Sequence, residues 1–223
     1  MTPDGTYYDK ELETMPWPQV QARAFAKMQL QIERVYEVSP HYRRKFDDAG
    51  VRPSDIRHPD DLARIPFFEK DEERQSQRLK PPLGDHVCVD VKDVVRVHSS
   101  SGTTGLPTFF ALTANDLQTW DRIIGRSYYT AGMRPGDVYA LLGNLAMFVG
   151  GIPALTALNH IGVCALPIGA TAGTERTLEL VRELRTTVMG LTPSFAVYLG
   201  ELVEQLLGIK ARDLGLRRIN VGC

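Results

Sequence analysis

Apolar positions along the chain fall first at helical intervals and later in short buried runs. Phe25, Met28, Ile32 and Val35 recur every three or four residues, which predicts a helix over 19–38 that Ser39-Pro40 ends. A second short helix is expected from His41 to Ala49, stopping at Gly50. Residues 1–18 are polar and proline-containing, so an extended arm is expected there. The pattern changes near residue 93. Val94-Val95-Arg96-Val97 and Phe109-Phe110-Ala111-Leu112 read as two strands, and a helix follows from Ala114 to about Ala131. Beyond it, strands at 138–142, 163–166, 187–191 and 218–221 alternate with helices at 151–161 and 174–185 and one opened by Thr192-Pro193. This alternation predicts an α/β fold, a mainly parallel sheet flanked by helices and preceded by an N-terminal helical segment. The expected division is an arm and helical segment over 1–92 and an α/β ligand-binding part over 93–223, with ligands beyond the strand ends.

With 43% hydrophobic and 24% charged residues among 223, the chain can bury a core, and its net charge of -1 gives no pull toward nucleic acid or anionic membrane. Cys88, Cys164 and Cys223 are odd in number and far apart, which is no disulfide framework and suits a reducing cytoplasm. The start has no basic region leading into an apolar core, and 140–157 is interrupted by Asn144, glycines and Pro153, so neither a signal peptide nor a membrane span is expected. The cluster His41-Tyr-Arg-Arg-Lys45 reads as a solvated helix face.

The stretch richest in chemistry joins the first two strands. Ser99, Ser100, Ser101, Gly102, Thr103, Thr104 and Gly105 place five hydroxyls and two glycines in seven positions. Glycines permit positive φ, so successive N-H groups can converge on an anion, and the hydroxyls add donors. An ordinary surface turn has the same residue types. It is not a Walker loop, because Leu106-Pro107 and a strand follow Gly105 where that motif needs Lys and a helix.

The full string His98-Ser-Ser-Ser-Gly-Thr-Thr-Gly-Leu-Pro-Thr108 resembles the phosphate-binding signature of adenylate-forming enzymes, and most closely the phenylacetate-CoA ligase family. Ser39 to Val51 and Ile65-Pro-Phe-Phe-Glu-Lys70 resemble the same family, the latter preceding a solvent-facing helix. The resemblance implies the N-terminal portion of the adenylate-forming large domain. It also implies a loop, Ser99 to Gly105, that holds the β- and γ-phosphates of ATP. By the same resemblance Phe148, Gly150 and Gly151, from a stretch ending Phe-x-Gly-Gly, line an acyl pocket, with Gly143 and Leu145 where aromatics stand in the family. Taken by itself, 143–151 reads as a core turn, and His98 either as a structural histidine or as a hydrogen-bond partner of the loop or a phosphate. In the family a Lys usually stands just before the loop proline, or just after it in many other adenylate-forming enzymes. Leu106 and Thr108 occupy those positions here, which implies weaker ATP binding.

The implied reaction joins a small-molecule carboxylic acid to coenzyme A at the expense of ATP with Mg²⁺, through an acyl-adenylate. No catalytic side chain and no protein metal ligand is expected within these residues. The family continues past Arg217-Arg-Ile-Asn-Val-Gly-Cys223 into Gly-Glu-Pro, so a fragment without ligase activity of its own is expected. Two other readings stand beside it: an adenylating enzyme that serves a carrier protein, and a non-catalytic relic that binds a nucleotide or partner. Neither nucleic acid nor membrane is an expected partner, and a homo-oligomer through an open sheet edge is compatible with the pattern.

Overall fold

The computed structural model describes residues 1–2, 4–100, 107–147 and 149–222. They form two compact units, Asp9–Ala114 and a second made of Met1–Tyr8 with Asn115–Cys223. The first is mainly helical. A single turn, α1 (Lys10–Glu13), interrupts the expected extended arm, held by the Asp9 carboxylate accepting from the Leu12 N-H. Helix α2 (Trp17–Val38) ends where Ser39 turns extended, as a residue before proline must, and Pro40 opens α3 (Pro40–Asp48). Ser39 is buried; its hydroxyl accepts from the Tyr42 N-H and donates to the Asp85 carbonyl. Ile32, Phe46, Val51 and Ile56 make the small core between these helices.

The basic cluster of α3 is not simply solvated. Arg43 donates to the carbonyls of Tyr36 and Glu37 in the last turn of α2, where a cation also suits the helix dipole, and Arg44 and Lys45 pair with Asp85 and Glu72. Helix α4 (Lys70–Leu79) buries Ser76 and Gln77 on one side, so it is only partly solvent-facing. Strands β1 (Val94–Ser99) and β2 (Phe109–Thr113) pair antiparallel, Ser99 opposite Phe109 and His98 opposite Phe110. They form a two-stranded ribbon of their own, outside the parallel sheet.

In the second unit, α5 (Ala114–Thr130) leads into four parallel strands joined by helices: β3 (Val138–Leu141), α6 (Ile152–His160), β4 (Cys164–Leu166), α7 (Thr174–Glu183), β5 (Val188–Leu191), α8 (Pro193–Leu207) and β6 (Arg218–Val221). The spatial order is β4-β3-β5-β6. Residues alternate between faces with the strand period of two. Tyr139, Leu141 and Val188 pack with Ala154, Leu158 and Ile161 of the α6 region. Ala140, Leu142, Met189 and Leu191 pack on the other side with Leu178 and Val181 of α7 and Leu199 and Val203 of α8. Tyr8, from the chain start, lies against Tyr129 and hydrogen-bonds His160 at 3.0 Å.

One carboxylate holds the N-terminal ends of three strands together. Asp137, just before β3, accepts from the Thr187 hydroxyl at 2.8 Å, from Arg217 Nε at 2.8 Å and from the Arg134 N-H at 2.8 Å, with Arg217 Nη2 also in contact. From β3 the chain crosses to β4 on one side and then to β5 on the other. The connections therefore diverge between β3 and β5, and a crevice opens beyond the C-terminal ends of those strands.

Candidate functional site

The stem of the hydroxyl-rich loop belongs to the Asp9–Ala114 unit. Ser100 and Thr108 close it as a double tie. The Ser100 N-H donates to the Thr108 carbonyl at 3.0 Å, Ser100 Oγ accepts from the Thr108 N-H at 3.0 Å, and the two hydroxyls lie 3.2 Å apart. Thr108 is 1% exposed and Glu73 also hydrogen-bonds it; burial pushes the Glu73 carboxyl above its usual range, against the opposing effect of that bond. Gln77 of α4 accepts the Phe109 N-H. The Ser100 side chain thus fixes the loop's base. Ser99 ends β1, while Ser101, Gly102, Thr103, Thr104, Gly105 and Leu106 lie outside the described residues. We expect Ser100→Ala to leave the buried Thr108 N-H without its acceptor, costing about 1–3 kcal/mol. Hydrogen exchange should show the Thr108 amide losing protection while the amides of the parallel sheet keep theirs.

The crevice of the second unit contains a cavity of about 320 Å³ at the C-terminal ends of β3, β5 and β6. Gly143, Asn144 and Gly150 contribute from the loop after β3, Thr192 from the start of α8, and Tyr128 from α5. Gly151 is not part of the lining. It packs beneath the loop, where a Cβ would stand 2.5 Å from the Asn144 carbonyl oxygen. Phe148 lies outside the described residues.

A row of three residues crosses the sheet face under this cavity. Tyr139 of β3 extends over Gly190 of β5 to Asn220 of β6, whose Nδ2 donates to the Tyr139 hydroxyl at 3.0 Å. A Cβ at position 190 would stand 2.0 Å from that hydroxyl oxygen, so only glycine leaves room for the phenol. Tyr128 packs edge-on to Tyr139 at 5.7 Å between ring centroids. Burial raises both phenols above their ordinary range, so both stay neutral hydrogen-bonding groups. Sequence reasoning singled out none of these three residues. The signal present was Gly190, an isolated glycine inside an apolar strand, which marks a close approach.

No protein-family model matches the chain. It is 34% identical over 206 residues to the phenylacetate-coenzyme A ligase of Escherichia coli (strain K12), covering 92% of this chain and 46% of that protein. It is 35% identical over 215 residues to the enzyme of the same name from Thermus thermophilus, covering 96% and 47%. The chain is a homologue of the phenylacetate-coenzyme A ligases. It spans about half the length of these curated relatives. A crystal structure of 2-hydroxyisobutyryl-CoA ligase in complex with 2-HIB-AMP and CoA superposes with a TM-score of 0.92 at 30% identity, over 98% of this chain and 46% of that one. The fold is accordingly that of the adenylate-forming CoA ligases, helices with a parallel sheet and an N-terminal helical segment.

Against the pattern expected of phenylacetate-CoA ligases, two local differences bear on the site. Among the described residues, only the Leu141 side chain lies within 4.0 Å of a Cβ placed at Gly143, where an aromatic was expected. Thr108 is buried and tied to Ser100, so position 108 supplies the loop with a structural contact and no positive charge. Among the described residues, no helix is long and apolar enough to cross a membrane, and no group of three or more His, Cys, Asp or Glu is placed to hold a metal ion.

Proposed function

We propose that this chain is part of an ATP-dependent, AMP-forming acyl-CoA ligase acting on an aryl or other apolar carboxylic acid. A carboxylate oxygen attacks the α-phosphorus of ATP, and the bond to pyrophosphate breaks to leave an acyl-adenylate. The CoA thiolate then attacks the acyl carbonyl carbon and AMP departs. The substrate supplies its own nucleophile, so the chain's part is to position groups and stabilise charge. Ser99, Ser100, Ser101, Gly102, Thr103, Thr104 and Gly105 would hold the β- and γ-phosphates through hydroxyls and N-H groups. Phe148, Gly150 and Gly151 would shape the acyl pocket, within an α/β part spanning 93–223. Mg²⁺ would be carried by the triphosphate oxygens. The sequence relatives are named for phenylacetate and the structural one for 2-hydroxyisobutyrate, both carboxylic acids with an apolar body.

The observation that carries this reading is identity of 34% and 35% over 92% and 96% of the chain to two enzymes of that name. The absence of a cation at Leu106 and Thr108 favours a second reading, a relic that binds a nucleotide or partner without catalysis. ATP-pyrophosphate exchange decides between them, run with a panel of aryl and short-chain acids on the 223-residue chain and on the longest product of its gene. We expect exchange by the longer product with at least one acid and none above background by the shorter chain. If neither exchanges with any acid, the relic reading takes its place.

A further inference from the structure

We propose that Tyr8 is a positioning residue for the acyl cavity: it clamps the last turn of α5, from which Tyr128 reaches the cavity wall. The inference rests on reading the crevice beyond β3 and β5 as the acyl site.

The segment before Tyr8 holds its own shape. Thr2 and Tyr7 close it: the Thr2 N-H donates to the Tyr7 carbonyl at 2.9 Å, and Thr2 Oγ1 accepts from the Tyr7 N-H at 3.0 Å. Within it, the Asp4 carboxylate accepts from the Thr6 N-H at 3.1 Å, and the Gly5 N-H donates to the Thr2 carbonyl at 3.0 Å. Tyr8 then spans the ends of two helices. Its ring lies 5.9 Å from that of Tyr129, in the last turn of α5, and its hydroxyl is 3.0 Å from Nε2 of His160, the last residue of α6. Gly5 covers the same place, where a Cβ would stand 3.6 Å from the Tyr129 hydroxyl. Tyr129 is accordingly 3% exposed, with the Arg134 guanidinium 3.8 Å from its ring centroid.

The last carbonyls of a helix lack intrahelical partners, and the turn frays unless it is packed. In α5 that turn carries both residues that matter. Tyr129 is held beneath Tyr8, while its neighbour Tyr128 lines the cavity and packs edge-on to Tyr139. Tyr8 and Tyr128 also pack against one core cluster, which contains Met133, Tyr139 and Leu158. A clamp on Tyr129 therefore fixes the direction of Tyr128 without itself touching the acyl group. Once it is lost, the turn frays and the cavity wall loosens, and a displacement of about 1 Å far from the chemistry can cost about 100-fold in rate.

The test is ATP-pyrophosphate exchange by the longest product of the gene, with the acid it uses best and the homologue of that acid longer by one methylene. Tyr8→Ala should raise KM for the preferred acid by about tenfold or more and leave KM for ATP within about twofold. Tyr8→Phe keeps the ring and loses only the bond to His160, so it should raise the acid KM less, by about twofold or more. Tyr8→Ala should also narrow the discrimination between the two acids, since a loosened wall accepts both. A purely structural role would lower kcat with the folded fraction and leave both KM values and the discrimination unchanged. If Tyr8→Ala fails to fold, Tyr8→Phe decides alone. An acid KM that survives the substitution overturns the proposal, as does an equal rise in KM for ATP. Either result leaves the ligase reading standing; no exchange by the parent protein with any acid removes both.

Discussion

Gly190→Ala is expected to destabilise the chain by about 2–3 kcal/mol, although it adds a single methyl group. The new carbon would stand 2.0 Å from the Tyr139 hydroxyl oxygen and 2.6 Å from the ring carbon that bears it. The ring has little room to yield, since it is buried among Tyr128, Leu141 and Val188. Urea unfolding would show the loss as a lower midpoint with an unchanged slope. Tyr139→Leu removes the obstacle and is itself destabilising, because it opens space and discards the bond from Asn220. The double substitution should therefore cost less than the sum of the two, by about 1–2 kcal/mol. Simple additivity would mean that the two positions do not compete for one volume.

Asp137→Ala is expected to cost a similar amount, about 2–3 kcal/mol, by a different route. The carboxylate is 5% exposed and joins residues that open β3, β5 and β6, so its removal leaves the Thr187 hydroxyl and the Arg134 N-H without their acceptor. Arg217 is 39% exposed at its side chain and can turn to water, which keeps the cost below that of a fully buried pair. The acid limb of the stability profile gives a second readout. Burial alone would raise the Asp137 pKa, but the Arg217 guanidinium, the Arg134 N-H and the Thr187 hydroxyl outweigh it and hold the carboxyl below its ordinary value. A carboxyl depressed on folding contributes stability that is present above its unfolded pKa and lost as pH falls through the folded one. Asp137→Asn should thus flatten the loss of stability on acidification below the usual carboxylate range. An acid limb as steep as the parent's would show that other carboxylates govern it.

Most of the fold was legible where a local signal carried it. The spacing of Phe25, Met28, Ile32 and Val35 marked α2, Ser39-Pro40 its end, and Thr192-Pro193 the start of α8. The β-branched run Val94-Val95-Arg96-Val97 marked β1, short apolar runs marked the later strands, and β6 fell on the expected residues. What stayed hidden depends on strand order. Tyr139, Gly190 and Asn220 become neighbours only once β5 lies between β3 and β6, and Asp137 meets Arg217 across 80 positions of sequence. The β1–β2 ribbon shows the same limit, since two apolar runs around a polar loop reveal nothing about which sheet they join. The resemblance gave no sign of the inward use of Ser100 and Thr108, which follows from their pairing across the stem.

The contact between Gly151 and the Asn144 carbonyl has a practical consequence for redesign. It pins the far end of the connection after β3 against its own beginning, and α6 starts immediately afterwards at Ile152. Residues 145–150 can therefore be treated as an exchangeable cassette. Homologous segments of equal length that retain the closing glycine should graft there without shifting the register of α6, leaving the supporting sheet alone.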